Sequence, residues 1–349
     1  MFGRGALRTI GPMSAGPSSI PALRWFGADD VTAAMPSLEE RLRLAEVTMT
    51  AFARPGVAEL PPKVAIHPRP EASFVHAMPA HLRGDGDAAT DLVGMKWVSG
   101  YATNTALGLP GISAVVVLND PSTGIPTAIL DGGPITAHRT AAVTGLAIER
   151  FGPESQPGLD VAIIGAGTQA HSHLPVLAHL LPGATLHLFD VSGDRAAAFA
   201  ATASSTPGID RVVVHDTARA AVEPAAVVVS AAAFGAPEDR QSMTNAWLRS
   251  DATIIAIDYA TYTAAEVARD AALFLVDQRE QYLANRDAGN FDGYPDPDAT
   301  IGEAILAGTR RPAGRVVITH LGVGLADLVF ADAIVRAAIE RGLGTELAR

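Results

Sequence analysis

Apolar positions follow two different rhythms along the chain. In the second half, short apolar runs recur at 159–164, 185–189, 212–214, Val227–Ser230, 254–257, Leu273–Val276 and Val316–Thr319. Runs this short and this uniformly apolar are the pattern of parallel strands buried on both faces. Helical spacing separates several of them, at 173–181 and 196–203, and a last helix is predicted from about Ala326 to Arg341. The first half reads differently. Strands are predicted at Val64–Ile66, 73–78, 91–97, 113–118 and 126–130, with a loop over 99–111 and a turn at 119–124. Asp29 or Asp30 is expected to cap a short helix, and a longer one starts after Ser37 and runs to about Phe52, with Glu39 and Glu40 in its first turn. Residues 141–151 have helical spacing and small side chains. A helix begun at Thr136 would put Arg139 near its N-terminal end. Residues 279–312 are polar and read as a loop-rich segment covering a site. Residues 1–20, rich in Gly, Ser and Pro, read as a flexible leader.

The strand at 159–164 ends in Gly165-Ala166-Gly167-Thr168-Gln169-Ala170, which fits G-x-G-x-x-A, and a helical stretch follows. Gly165 makes the tight turn. Gly167 lets the backbone approach a pyrophosphate, and the small Ala170 lets helix pack on strand. The helix N-terminus offers free N–H groups to phosphates. The next strand ends in Asp190, 20 residues past Ala170, where an acid accepts hydrogen bonds from a ribose diol. Its charge opposes a 2′-phosphate, so NAD is expected over NADP, although Arg195 lies nearby. Strand, glycines, helix and acid together predict an α/β Rossmann dinucleotide-binding domain.

Composition narrows the classes. At 349 residues the chain is long enough for two domains. With 26 basic and 37 acidic residues its formal net charge is −11, which argues against a nucleic-acid or anionic-membrane partner. There is no cysteine, hence no disulfide, thiolate metal site or cysteine nucleophile. No apolar run approaches the roughly 18 residues of a membrane span. Arg4 and Arg8 give the leader a faint targeting flavour, but no apolar signal core follows, and a cytoplasmic location is expected.

Further residues, taken in order, resemble the ornithine cyclodeaminase/μ-crystallin family. They are Lys96, Gly124-Ile125-Pro126, Ile135-Thr136 with Arg139-Thr140-Ala141-Ala142, the glycine motif with Gln169, and Gly322-x-Gly324-x-x-Asp327. The similarity spans about Leu23 to Gly344. It implies a Rossmann domain (151–314) plus an α+β substrate-binding and dimerisation domain built from both chain ends (21–150 and 315–349). The activity implied is NAD(P)-dependent oxidoreduction at the carbon of an amino or imino acid, usually in a homodimer. Carried over, Lys96 and Arg139 are a substrate-binding pair. The chemistry agrees, since a guanidinium grips an α-carboxylate and a second cation orients the nitrogen or moves a proton. Lys63 stands where the family commonly has an arginine. Thr140, Gly165, Gly167, Thr168, Gln169, Asp190 and Ser230 match cofactor-side positions.

The departures shape the functional expectation. His76 replaces a glutamate of the cyclodeaminases. In the stretch 258–264, Ala260 takes the ungapped place of their catalytic aspartate, with Asp258 two residues earlier, and His320 replaces a serine near the nicotinamide. Asp258, His320 and His76 are therefore the acid–base candidates, with Lys96 beside them as a catalytic residue. His171 and His173 read as structural, and no metal site is expected. The reading is an imine reductase or amino-acid dehydrogenase acting on a small amino, imino or keto acid. The alternatives are an ornithine cyclodeaminase and a non-catalytic small-ligand-binding protein.

Overall fold

The computed structural model describes residues 20–69, 73–84, 86–235 and 237–349, so most of the expected leader lies outside the described residues. The first domain contains β1 (Leu23–Phe26), α1 (Ala28–Ala33), α2 (Leu38–Phe52), β2 (Ala58–Glu59), β3 (Val64–Ile66), β4 (Ser73–Leu82), β5 (Leu92–Tyr101), β6 (Ile112–Asn119), β7 (Pro126–Asp131) and α3 (Gly132–Phe151). The second contains β8 (Asp160–Ile164), α4 (Thr168–Leu180), β9 (Ala184–Phe189), α5 (Gly193–Ser204), β10 (Ile209–Val214), α6 (Ala218–Val222), β11 (Val227–Ser230), β12 (Thr253–Ala256), α7 (Ala265–Arg269), β13 (Leu273–Val276), α8 (Arg279–Asp287), β14 (Ala299–Thr300), α9 (Ile301–Leu306) and β15 (Val316–Thr319). The chain then returns to the first domain through α10 (Gly324–Glu340) and β16 (Thr345–Leu347).

The second sheet is wholly parallel, in the order β10-β9-β8-β11-β12-β15-β13-β14. Every residue of β11, β12, β13 and β15 is buried, which is why these strands read as unbroken apolar runs. The strand order reverses between β8 and β11, and such a reversal opens a crevice at the strands' C-terminal ends. β15 pairs with β12 and β13, so the second sheet extends past the expected boundary at residue 314, and the crossing back comes after Thr319.

The first sheet is mixed, in the order β16-β1-β7-β6-β5-β4-β2, with β3 also paired to β4. At one edge it joins strands from opposite ends of the described chain, β16 pairing antiparallel to β1. α10 packs on β4, β5 and β6 and against α2 and α3. Asp131 caps α3 by accepting from Gly133 N–H, so the helix starts at Gly132 rather than Thr136, and Arg139 lies two turns inside it. Gly132 permits this start, since a Cβ there would fall 2.7 Å from Ala114 Cβ. α3 also packs on α4, joining the two domains, and Gly145 fits between Leu42 and Val176.

Residues 279–312 are more ordered than their polarity suggested. They hold α8 and α9, and Tyr282, Phe291 and Tyr294 are buried in an aromatic cluster with Phe274.

Candidate active site

Strand parity selects the first site residue. On β5, Lys96 points to the α10 side and is buried, while its neighbour Trp97 is exposed on the other face. α3 supplies Arg139 and the first turn of α10 supplies Asp327, all three nearly inaccessible to solvent. Lys96 Nζ donates to Asp327 Oδ1 at 2.9 Å and lies 2.8 Å from Oδ2, and Arg139 Nε donates to Oδ1 at 3.1 Å. Lys96 also reaches Thr136 Oγ1 at 3.4 Å. Gly322 has φ +79° and lies against the guanidinium, where a Cβ would come within 2.4 Å of Arg139 Nη1. Asp277, at the end of β13, fixes this loop by accepting from Gly322 N–H at 2.7 Å, and burial pushes its carboxyl up.

One carboxylate thus serves two buried cations. Burial pushes Lys96 down to about 7; Asp327 counters the fall, while Arg139 and Lys63 add to it. Burial also opposes the charge of Asp327, but Arg139 and Lys96 prevail and hold its carboxyl below the ordinary range. Lys96 therefore sits where it can hold or release a proton at neutral pH.

Lys63 precedes β3 and reaches across to the second domain. Its Nζ donates to Leu321 O at 2.6 Å and to the Tyr259 hydroxyl at 2.9 Å. Tyr259 and Ala260 are non-glycine residues at φ 54° and 59°, a left-handed kink at the tip of β12 that costs on the order of 1–3 kcal/mol per residue. His76 stacks on Phe74 at 4.5 Å and is half-buried. Burial, then the charges of Lys63, His67 and Lys96, push it down to about 4, so it is neutral at pH 7.

His320 follows β15. Its Nε2 is 2.9 Å from Thr144 Oγ1, which is 2.8 Å from His173 Nε2, and His173 Nδ1 is 2.6 Å from the carbonyl of Gln169. His320 Nδ1 is buried without a partner. Burial first, then the neighbouring His173 and Arg139, push His320 well below the usual histidine range.

The glycine loop lies at the strand-order reversal. Gly165 has φ +99°, and a Cβ there would fall 2.7 Å from Ala231 O on the facing strand end. At Gly167 a Cβ would meet nothing within 4 Å, so the backbone faces open space where α4 begins. No side chain caps that N-terminus, which leaves the first-turn N–H groups at Thr168 and Gln169 free for an anion. Asp190 accepts from Ala166 N–H and Ser192 N–H at 2.8 and 2.7 Å, and Arg195 Nη2 pairs with it at 2.8 Å. Burial opposes its charge, but these donors hold the carboxyl below its ordinary value. Arg195 thus lies on the acid, occupied by it. Thr140 Oγ1 donates back to Thr136 O within α3.

Asp258 is brought to Ser230, whose hydroxyl donates to Oδ2 in a very short hydrogen bond, and Oδ1 is buried without a partner. Burial pushes Asp258 up to about 7, against the hydrogen bonds from Ser230 and nearby backbone. Among the described residues it makes no ion pair with Lys63, Lys96 or Arg139. The geometry therefore brings Lys63, His76, Lys96 and Arg139 near one another, while Gly165, Gly167, Asp190, Ser230 and Asp258 lie along the strand ends of the second sheet. No group of three or more acidic or histidine side chains suited to a metal ion occurs among the described residues.

Sequence reasoning passed over Asp327, Tyr259 and Thr144 as site residues. Asp327 was visible as the last residue of Gly322-x-Gly324-x-x-Asp327, and its buried acid in an apolar helix is a signal in itself. Tyr259 and Thr144 carried none.

Comparisons with known proteins identify the relatives of the whole chain. The model of the ornithine cyclodeaminase/mu-crystallin family matches residues 30–337. The chain is 29% identical over 333 residues to the nodulation efficiency protein NfeD of Rhizobium meliloti, covering 93% of this chain and 98% of that protein. It is 31% identical over 270 residues to the ketimine reductase mu-crystallin of Mus musculus, covering 75% and 79%. An archaeal alanine dehydrogenase dimer with bound NAD superposes with a TM-score of 0.78 at 26% identity, covering 93% of this chain and 99% of that one. With the family model matching nearly the whole chain, the chain belongs to the ornithine cyclodeaminase/mu-crystallin family.

Proposed function

We propose that this protein is an NAD-dependent oxidoreductase that interconverts an α-imino acid and the corresponding amino acid. The observation that carries the reading is Lys96, fully buried against Asp327 and Arg139 and held at about 7. Such a group can give a proton to an imine nitrogen and take one back near neutral pH. Arg139 and Lys63 offer the positive field for an α-carboxylate. The relatives named ketimine reductase and alanine dehydrogenase also act at a carbon–nitrogen bond.

The glycine loop fits a dinucleotide. The open space above Gly167, the uncapped start of α4 and Asp190 at the end of β9 suit a pyrophosphate and a ribose diol. When bound, NADH supplies the hydride that reduces the imine carbon. Lys96 Nζ gives the proton that the nitrogen needs, and solvent or the next substrate restores it. Asp327 keeps Lys96 and Arg139 in place, and neutral His76 lines the substrate side without adding charge. Asp190 favours NAD over NADP, because Arg195 could serve a 2′-phosphate only by leaving its partner.

The protein is proposed to act as a cytoplasmic homodimer. Val64, Ile66, Trp97 and Ile112 expose apolar surface on the first sheet, which a symmetric copy would cover. No helix among the described residues is long and apolar enough to cross a membrane.

The test is NADH consumption with a panel of cyclic imino acids and of keto acids with amines, alongside ornithine with catalytic NAD. Stoichiometric NADH loss with an imine substrate is the expected result. Proline formation from ornithine with no net change in NADH would replace it with a cyclodeaminase, and light scattering showing a monomer at micromolar concentration would remove the dimer.

A further inference from the structure

We propose that Thr144 and His173 lock the tautomer of His320, keeping its Nδ1 lone pair as a hydrogen-bond acceptor for an N–H group of the bound ligands. Counting protons leads to this assignment. His173 Nδ1 lies 2.6 Å from the carbonyl of Gln169, and a carbonyl can only accept, so Nδ1 carries the hydrogen. His173 is fully buried and burial pushes it down to about 4, so its Nε2 is a bare acceptor. Thr144, at 2.8 Å, must spend its single hydroxyl proton there. The same oxygen lies 2.9 Å from His320 Nε2 and has no proton left to offer, so His320 donates from Nε2. A neutral His320 then has an unprotonated Nδ1, the atom that is buried and unpartnered.

The chain of hydrogen bonds ends on a backbone carbonyl, which cannot take up a proton. It is therefore a lock and not a proton wire. In this state His320 has no proton to give from Nδ1, which leaves acid duty to Lys96. A buried acceptor without a donor is unfavourable, and an arriving N–H offsets that. His320 follows the C-terminal end of β15, the side on which ligands bind in such sheets, and it feels the charge of Arg139. Resting on the proposed function, two donors qualify: the carboxamide of the nicotinamide and the substrate nitrogen once Lys96 has protonated it. Thr144 and His173 act through His320 and are positioning residues.

The test uses the full chain labelled with ¹⁵N-histidine, with the His320 signals assigned by their loss in His320→Gln. The wild type should show a neutral Nε2–H tautomer at His320 at pH 7. Thr144→Val should release the lock and mix the tautomers, and Thr144→Ser should restore it. Thr144→Val should also weaken one ligand about tenfold, or 1.4 kcal/mol. NADH is compared with its reduced acetylpyridine analogue, which lacks the amide N–H. If wild-type preference for NADH over the analogue vanishes in Thr144→Val, the donor is the carboxamide. If that preference is unchanged and the KM of the imino acid rises instead, the donor is the substrate nitrogen. An Nδ1–H tautomer in the wild type, or a Thr144→Val protein with unaltered Kd and KM, overturns the proposal. A wild type that shows the Nε2–H tautomer yet neither binds NADH nor reduces an imine refutes the functional reading and leaves the lock standing.

Discussion

Replacing Asp327 by Asn tests the electrostatics of the site most directly. The substitution keeps the size of the side chain and one acceptor oxygen but removes the charge that Lys96 and Arg139 share at 2.8–3.1 Å. Removing one partner of a buried ion pair costs roughly 3–5 kcal/mol, because the remaining charge is stranded. Here the loss should fall near the lower end at pH 7. Lys96 already sits at about 7 and can shed its proton, leaving Arg139 as the only stranded cation. That escape has a pH signature. In the wild type Lys96 is protonated in both the folded and the unfolded chain at pH 5, and it contributes a slope only as the pH nears 7, where the folded group begins to lose its proton. In Asp327→Asn the folded Lys96 is neutral from pH 5 to 7 while the unfolded one is protonated. The unfolded state then binds one more proton, so stability rises with pH and falls toward acid by about 1.4 kcal/mol per pH unit. The gap between variant and wild type should widen by roughly 2 kcal/mol from pH 7 to pH 5, once the wild type's own partial titration near pH 7 is subtracted. Urea denaturation at both pH values measures it, with the slope in urea checked for constancy. Lys96→Met in the same background should remove the pH-dependent part alone. A gap that is the same at pH 5 and pH 7, or one that persists with Lys96→Met, would refute the coupling of Lys96 to Asp327.

Arg139→Ala should abolish turnover while NADH binding stays near wild type, since removing one partner of a buried charged contact costs roughly 2–5 kcal/mol; near-normal kcat/KM would take Arg139 out of the site. Asp190→Ser, with Arg195 retained and released from its ion pair, should shift preference toward NADPH, read as the ratio of Kd values for the two cofactors. A wild type that binds NADPH more tightly than NADH would contradict the role given to Asp190. Asp258→Asn should stabilise the protein at pH 8 and have little effect at pH 4. The folded carboxyl is pushed up to about 7, so between about pH 4 and 7 the folded state holds a proton that the unfolded state has lost, and wild-type stability falls as pH rises. Equal effects of the substitution at both pH values would show that Asp258 titrates normally.

How much of this was legible depended on the range of the contacts involved. β11, β13 and β15 were legible to the residue, because strands buried on both faces are apolar at nearly every position. The glycine loop was legible because its geometry needs glycine: φ +99° at Gly165 and open space at Gly167. The start of α3 was not, because Gly132 and Gly133 look like a turn. They belong to the helix because Asp131 caps it and Ala114 crowds its first residue. The segment 279–312 misled by its polarity, since three aromatic side chains anchor it where the average along the chain is hydrophilic.

The site itself shows the limit more sharply. Lys96 and Arg139 could be named from local motifs, yet what gives Lys96 its chemistry is an acid 231 positions later, brought in by a helix that returns from the second domain. A lysine in a strand pattern predicts an exposed charge of ordinary basicity. Only the return of α10 buries it, and only Asp327 keeps the buried ammonium from being abandoned altogether. The same holds for His320. As a single letter it suggested an acid or base, because a histidine titrates near neutrality in water. Two partners from α3 and α4, at positions 144 and 173, take up its Nε2–H through one hydroxyl and leave only an acceptor. In both cases the residue type sets the range of possible chemistry, and long-range neighbours select one protonation state within it.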